Sequence, residues 1–287
     1  MSPRGRFLSC LATAITALAG FVTIGALPAA GANSSIIAYV ALGDSYAAGF
    51  GAPPADPNDP CQQSDQGCPA LLDAQKRIEL EVNATCKGAT TSDVLTQLTQ
   101  LSALNRNTRL VTLTVGGNDL HVSEVAATCT DPTVTDPNVL ADQCRRAIQG
   151  ALDLLDDLGS HLIDLYGEVA EVAPGARIVV TGYPHLFDPA PDDPRADIIA
   201  LVNEATDELN ATIEQAVTDT KNADVNIRYV DVTAEFAGHG IFSPDAFING
   251  LRSEAAFHPN ADGYVVYADA ISASLPRGWV DKQKQLD

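Results

Sequence analysis

A chain of 287 residues, 46% of them apolar, can bury a sizeable core, and a single large α/β domain lies within its reach. Its formal charge of -20, from 37 acidic against 17 basic side chains, argues against nucleic acid and against electrostatic attachment to anionic lipid. Such an excess of acid favours solubility and points to no particular partner.

The first residues stand apart from the rest. Arg4 and Arg6 precede a nearly uncharged stretch over 7–27, rich in Ala, Leu, Ile and Val, and Ala30-Gly31-Ala32 fits a small-residue cleavage site. Residues 1–32 therefore read as a secretory leader cut after Ala32 or close to it, and 33–287 as one domain. A retained anchor is the alternative, because the apolar stretch approaches spanning length. Gly20, Gly25, Pro28 and the cleavage-like end favour removal. Cys10 leaves with the leader, so Cys61, Cys68, Cys86, Cys129 and Cys144 remain in an oxidising compartment. An odd number of cysteines leaves one thiol over. With no paired Cys-x-x-Cys and no His-Glu-x-x-His in the chain, structural disulfides account for them better than zinc.

The near-continuous apolar run over 36–42 reads as a central parallel strand, and it ends abruptly at Gly43-Asp44-Ser45. A loop follows over 50–69, holding Pro53, Pro54, Pro57, Pro60 and Pro69. A short helix is expected over 70–78, a second strand over 79–85 and a turn over 86–92, after which Thr91 or Ser92 caps a helix carrying Val94, Leu95, Leu98, Leu101 and Leu104. The third strand, 109–115, ends in Gly116-Gly117-Asn118-Asp119. Residues 121–140, with Asp131-Pro132 and Asp136-Pro137, read as a long functional loop. The next helix runs to about Val172 with a break near Gly150, Gly159 or Gly167. A fourth strand over 177–181, a helix over 196–218, a fifth strand over 226–232 and a last helix over 261–274 complete the pattern. Five strands alternating with helices imply a five-stranded parallel sheet in a three-layer α/β/α sandwich.

In such a sheet ligands bind at the carboxyl edge of the strands. Ser45, Gly88, Asn118 and His258 each follow a strand or open the last helix, so all can reach that edge. Asp44 and Ser45 taken alone are also good helix caps. A serine hydroxyl needs a base within hydrogen-bond reach, and His258, fixed by Pro259, is the candidate. The oxyanion formed on attack needs donors already aimed at it: the backbone N–H groups of Ser45 and Gly88 and the side-chain amide of Asn118. Glycine at 88 avoids a side chain that would block the substrate.

These residues, as Gly43-Asp44-Ser45-Tyr46, Gly88 within Lys87-Gly88-Ala89-Thr90-Thr91, Gly117-Asn118-Asp119 and Phe257-His258-Pro259, stand in the order of the four blocks of the SGNH (GDSL) hydrolase family. The sequence resembles its secreted actinobacterial lipases, esterases and phospholipases over roughly the whole mature chain. The resemblance implies the flavodoxin-like fold of that family and ester hydrolysis without metal or cofactor. It also implies Ser45 as nucleophile, Gly88 and Asn118 in the oxyanion hole, and His258 as base and then acid. One departure concerns the position three residues before His258, where the family usually has an Asp that orients the imidazole. Here it is Ala255, with Glu254 one residue further back. Members that work as a Ser/His dyad use a main-chain carbonyl in that role, so a carbonyl within 254–256, from Glu254, Ala255 or Ala256, is expected here, with the Glu254 carboxylate as the alternative.

The resemblance further implies bridges between Cys61 and Cys86 and between Cys129 and Cys144, leaving Cys68 unpaired unless it replaces Cys61. His121, His185 and His239 read as loop residues, His161 as a helix residue, and Asp44 and Asp119 as turn-orienting carboxylates. The expectation is a secreted, monomeric serine hydrolase of lipid, phospholipid or short-chain esters, with no nucleic-acid partner and no stable membrane insertion. A carbohydrate acetyl esterase and a catalytically silent binder on the same fold are the alternatives.

Overall fold

Five strands build the sheet: β1 (Ile37–Gly43), β2 (Ile78–Asn83), β3 (Leu110–Thr114), β4 (Arg177–Thr181) and β5 (Ile227–Val230). All pair in parallel, in the order β2-β1-β3-β4-β5. The computed structural model describes residues 36–280 except 55, 102–103 and 189–191. The expected leader and its cleavage site lie outside the described residues.

The apolar run of β1 is buried nearly throughout, as is β3, because both lie inside the sheet and are covered on both faces. Edge strand β2 instead alternates buried and exposed positions. The helices are α1 (Ser45–Ala48), α2 (Cys68–Asp73), α3 (Thr91–Leu101), α4 (Val122–Cys129), α5 (Pro137–Leu152), α6 (Leu155–Val172), α7 (Ala196–Asn222) and α8 (Ala261–Ser274). Helices α2 and α8 pack together on one side, while α3, α6 and α7 form a contiguous layer, with α4 and α5 packed beside α7. This is the expected three-layer α/β/α sandwich. Chain direction across the sheet reverses between β1 and β3, and the crevice at such a switch point is where open α/β sheets take ligands.

Backbone hydrogen bonds draw three strand ends together at that point. The Gly43 carbonyl accepts from Cys86 N–H at 2.9 Å, and Asp44 N–H donates to the Thr114 carbonyl at 2.9 Å. Gly43 lies at φ +123°, and a Cβ there would stand 2.2 Å from the Thr114 oxygen, so only glycine allows this approach.

Several elements differ from expectation. Much of the loop expected over 121–140 is helical: α4 begins after His121, which takes a left-handed φ of +54° and offers no side-chain cap. No start signal marks α4 in the sequence. Asp136 and Pro137, which suggested a loop, cap and open α5 instead. The long helix does break near Gly150, three residues past it at Asp153-Leu154. Gly159 faces Thr212 of α7, whose methyl would stand in ordinary contact, 3.6 Å, with an added Cβ. Helix α2 starts earlier and ends sooner than expected, and β2 runs 78–83. Thr90, not Thr91 or Ser92, caps α3: its hydroxyl accepts from Asp93 N–H at 3.3 Å while the Asp93 carboxylate accepts from Thr90 N–H at 2.9 Å.

Candidate active site

Ser45 is the first residue of α1, where β1 hands over to the helix, and only 5% of it is exposed. As the first residue of a helix its N–H has no intrahelical acceptor and faces outward. Asp44 is the N-cap: one carboxylate oxygen accepts from Tyr46 N–H at 2.9 Å and Ala47 N–H at 3.4 Å. The other accepts from the Tyr183 hydroxyl at 2.6 Å, and the same hydroxyl accepts from Gly117 N–H at 3.0 Å. A single buried tyrosine thus ties the Gly43-Asp44-Ser45 turn to the Asn118 turn. Burial pushes the Asp44 carboxyl up to about 7 against the pull of its donors, and it also raises the Tyr183 hydroxyl.

His258 precedes α8 and is 9% exposed. Its Nε2 lies 2.8 Å from Ser45 Oγ, and its Nδ1 lies 2.9 Å from the Ala256 carbonyl oxygen. A carbonyl can only accept, so Nδ1 carries the hydrogen, and the Nε2 lone pair faces the serine hydroxyl. Glu254 is exposed. Burial depresses the imidazole to about 4, with the Ala256 carbonyl opposing the shift and the Lys87 charge reinforcing it. The loop is held by Asn249, whose amide donates to the carbonyls of Gly51, His258 and Pro259 at 3.0–3.1 Å. Phe257 takes a left-handed φ of +69°, and its carbonyl accepts from the Tyr46 hydroxyl at 2.5 Å. The Phe50 ring meets the imidazole edge to face at 4.8 Å.

Gly88 occupies the third position of the turn closed by Ala89 N–H to the Cys86 carbonyl at 3.0 Å, with φ +83°. The left-handed backbone at this position favours glycine, and an added Cβ would meet no protein atom within 4 Å. The Asn118 amide donates to the Ala89 carbonyl at 3.0 Å, which fixes its orientation and leaves its second hydrogen available. Asp119 accepts from the Thr91 N–H at 3.1 Å and hydroxyl at 2.6 Å, joining this turn to α3. Asp44 and Asp119 both act as turn-orienting carboxylates.

Beside Ser45 opens a cleft, partly open to solvent, bounded at its head by Ser45, Asn118 and His258. Its body is apolar, with Leu120, Val125 and Ala126 from the α4 segment, Ile148 from α5, and Val202 and Leu209 from α7. The segment read as a loop supplies much of this wall.

Disulfides join Cys61 to Cys86, beside the Gly88 turn, and Cys129 to Cys144, between α4 and α5. Cys68 is free and buried, and burial pushes its thiol up to about 12. The remaining histidines stay away from the Ser45–His258 contact. His185 meets Asp207 at 2.7 Å, His239 stacks on Phe247, His121 starts α4, and His161 is exposed on α6. Sequence reasoning passed over Tyr183, Tyr46, Phe50 and Asn249, since no local pattern sets a buried tyrosine or a loop asparagine apart. Among the described residues no group of three His, Cys, Asp or Glu side chains is placed to hold a metal, and no helix is long and apolar enough to cross a membrane.

Residues 41–266 match the GDSL-like lipase/acylhydrolase family. The chain belongs to this family. It is 32% identical over 234 residues to a lipase of Streptomyces rimosus, covering 78% of this chain and 81% of that one. The crystal structure of the extracellular lipase from Streptomyces rimosus aligns with a TM-score of 0.71 at 30% identity, over 83% of this chain and 100% of that one. Phospholipase A1 from Streptomyces albidoflavus NA297 aligns with a TM-score of 0.72 at 30% identity, over 84% and 100%. As a member of the GDSL-like lipase/acylhydrolase family the chain is a carboxylic ester hydrolase, and the matched segment contains Ser45, Gly88, Asn118 and His258.

Proposed function

We propose that this ester hydrolase works as a Ser45/His258 dyad on esters with an extended apolar acyl chain, of lipid or phospholipid type. Ser45 Oγ attacks the acyl carbon as its proton passes to His258 Nε2. The carbonyl electrons move to oxygen, where the N–H groups of Ser45 and Gly88 and the free Asn118 amide hydrogen receive the charge. Collapse breaks the bond to the alcohol oxygen, which takes the proton from Nε2 and departs. Water then attacks the acyl-enzyme and gives its proton to Nε2, and collapse breaks the bond to Ser45 Oγ, which takes that proton back as the acid departs. The Ala256 carbonyl holds Nδ1–H throughout and so takes the role a carboxylate has in a triad.

The observation that carries this reading is the 2.8 Å contact between Ser45 Oγ and His258 Nε2 at the head of the apolar cleft. The apolar lining of that cleft, drawn from three helices, supports an acyl chain longer than acetyl. The protein is read as a secreted monomer whose leader is cut near Ala32. The extracellular character of the Streptomyces rimosus lipase and the two disulfides support export.

The test is labelling with a fluorophosphonate followed by peptide mapping, with Ser45→Ala as the control. The label is expected on Ser45 alone. A folded protein that takes none there would remove the proposed mechanism. Initial rates on p-nitrophenyl esters of increasing acyl length should rise beyond acetyl, and a preference for acetyl would turn the substrate assignment toward carbohydrate esters.

A further inference from the structure

The two sides of the Ser45–His258 pair differ in chemistry. The acyl cleft is apolar, whereas the flank formed by Phe50 and the Gly88 turn carries a cation. Lys87 Nζ stands 3.8 Å over the Phe50 ring centroid, and that ring meets the imidazole of His258 at 4.8 Å. The ammonium is therefore no further from the imidazole centroid than those two distances laid end to end. Lys87 is exposed, and among the described residues no carboxylate pairs with it. What distinguishes Lys87 is its place: its ammonium sits on the ring that packs against the His258 imidazole.

The backbone around Lys87 is anchored. Cys86 is bridged to Cys61, Lys87 N–H donates to the Cys61 carbonyl at 3.1 Å, and Ala89 N–H closes the turn. The Phe50 platform is held as well: its N–H donates to the Ser45 carbonyl at 3.0 Å, and its own carbonyl accepts from the Tyr264 hydroxyl at 2.7 Å. An aromatic face under an ammonium directs it without neutralising it, so the charge stays available to a ligand. His258 hands its proton to the alcohol oxygen, so the alcohol half of the ester must sit on the imidazole side, away from the acyl cleft.

Resting on the proposed Ser45/His258 mechanism, we infer that Lys87 on its Phe50 platform binds an anionic group on the alcohol half of the ester, a phosphate of the glycerophosphate kind. The enzyme then discriminates by charge on the leaving group and by apolar length on the acyl group. The influence of the Lys87 charge on His258 is in keeping with this closeness.

The experiment compares a soluble short-chain acyl ester of glycerol with the same acyl ester of glycerol 3-phosphate. For each, kcat/KM is measured with the wild type, Lys87→Met, Lys87→Glu and Lys87→Arg, with Arg252→Gln as a control cation. The reading is the phosphate-to-neutral ratio, in which any loss common to both esters cancels. The ratio should fall about fivefold in Lys87→Met at low ionic strength and further in Lys87→Glu, stay high in Lys87→Arg and Arg252→Gln, and converge toward the Lys87→Met value at high salt. An unchanged ratio in Lys87→Glu, with both esters still hydrolysed, overturns the inference and leaves the mechanism standing. A wild type that hydrolyses neither ester and takes no fluorophosphonate at Ser45 overturns the mechanism, and the inference with it.

Discussion

Asp44 and Ala256 support opposite members of the Ser45–His258 pair, yet one supplies a carboxylate and the other a main-chain carbonyl. Asp44 lies under the nucleophile, buried, taking three hydrogen bonds and joined through Tyr183 to the Gly117 turn. Ala256 holds the imidazole by one carbonyl oxygen, which carries only a partial charge and does not titrate. A carboxylate behind His258 would stabilise the imidazolium and raise its pKa. Without one, burial dominates and the ring stays neutral to about 4. The acidic side chain at this site orders a turn, and the contact to the imidazole Nδ1 comes from the backbone.

The largest expected effect tests the pair itself. Ser45→Ala or His258→Ala should each lower kcat by on the order of 10^4-fold or more, and the double variant should lose little beyond either single one. A double variant that loses the product of the two would mean that they do not act as a unit.

Next comes the carboxylate side. Tyr183→Phe leaves the Gly117 N–H and one Asp44 oxygen without their partner, at a cost of roughly 2 kcal/mol in stability by denaturant titration. It should also reduce kcat by about tenfold at nearly constant KM, since it loosens the turn that carries Asn118. A stability loss with kcat unchanged would confine Tyr183 to packing.

A pH profile separates the two sides. With neutral His258 as the proposed base, kcat/KM should hold as pH falls below the ordinary imidazole range and drop only through about 4. An acid limb near the ordinary value of 6.5 would indicate a carboxylate partner. Stability follows the same groups with opposite signs. The unfolded imidazole takes its proton at higher pH than the folded one, so His258 makes the protein less stable as pH falls from 6.5 toward 4. Asp44, raised from 3.8 to about 7, stabilises at low pH and loses that contribution as pH rises through its folded value. Denaturant midpoints of His258→Gln and Asp44→Asn against pH should show these two slopes removed.

The smallest effect is expected at Glu254. It is exposed, and His258 Nδ1 is already bound to Ala256, so Glu254→Gln should change kcat by less than about twofold. A fall on the order of 10^4-fold would transfer the orienting role to its carboxylate.

The alternation of strands with helices was legible because buried parallel strands read as unbroken apolar runs, as at 36–42 and 109–115. Helix α8 was readable to its ends because Asn260 caps it and its spacing is regular. Helix α4 was not, since its start depends on the left-handed His121 and its end on a disulfide to α5. Neither leaves a local pattern.

By itself the sequence determined the parallel sandwich, the four turns that meet at its carboxyl edge and the four residues proposed to form the site there. The sandwich and its turns depend on local signals, apolar period and glycine with small polar residues at strand ends, while the roles of the four residues also drew on the resemblance of their order to the family's blocks. Only the tertiary structure decided which group meets His258 Nδ1, the left-handed backbone at Gly88, what ties Asp44 to the Asn118 turn, and that a lysine sits over the ring beside the imidazole. Those depend on contacts between segments far apart in the chain, whose distances are set by packing of the whole fold and not by any residue's neighbours in sequence.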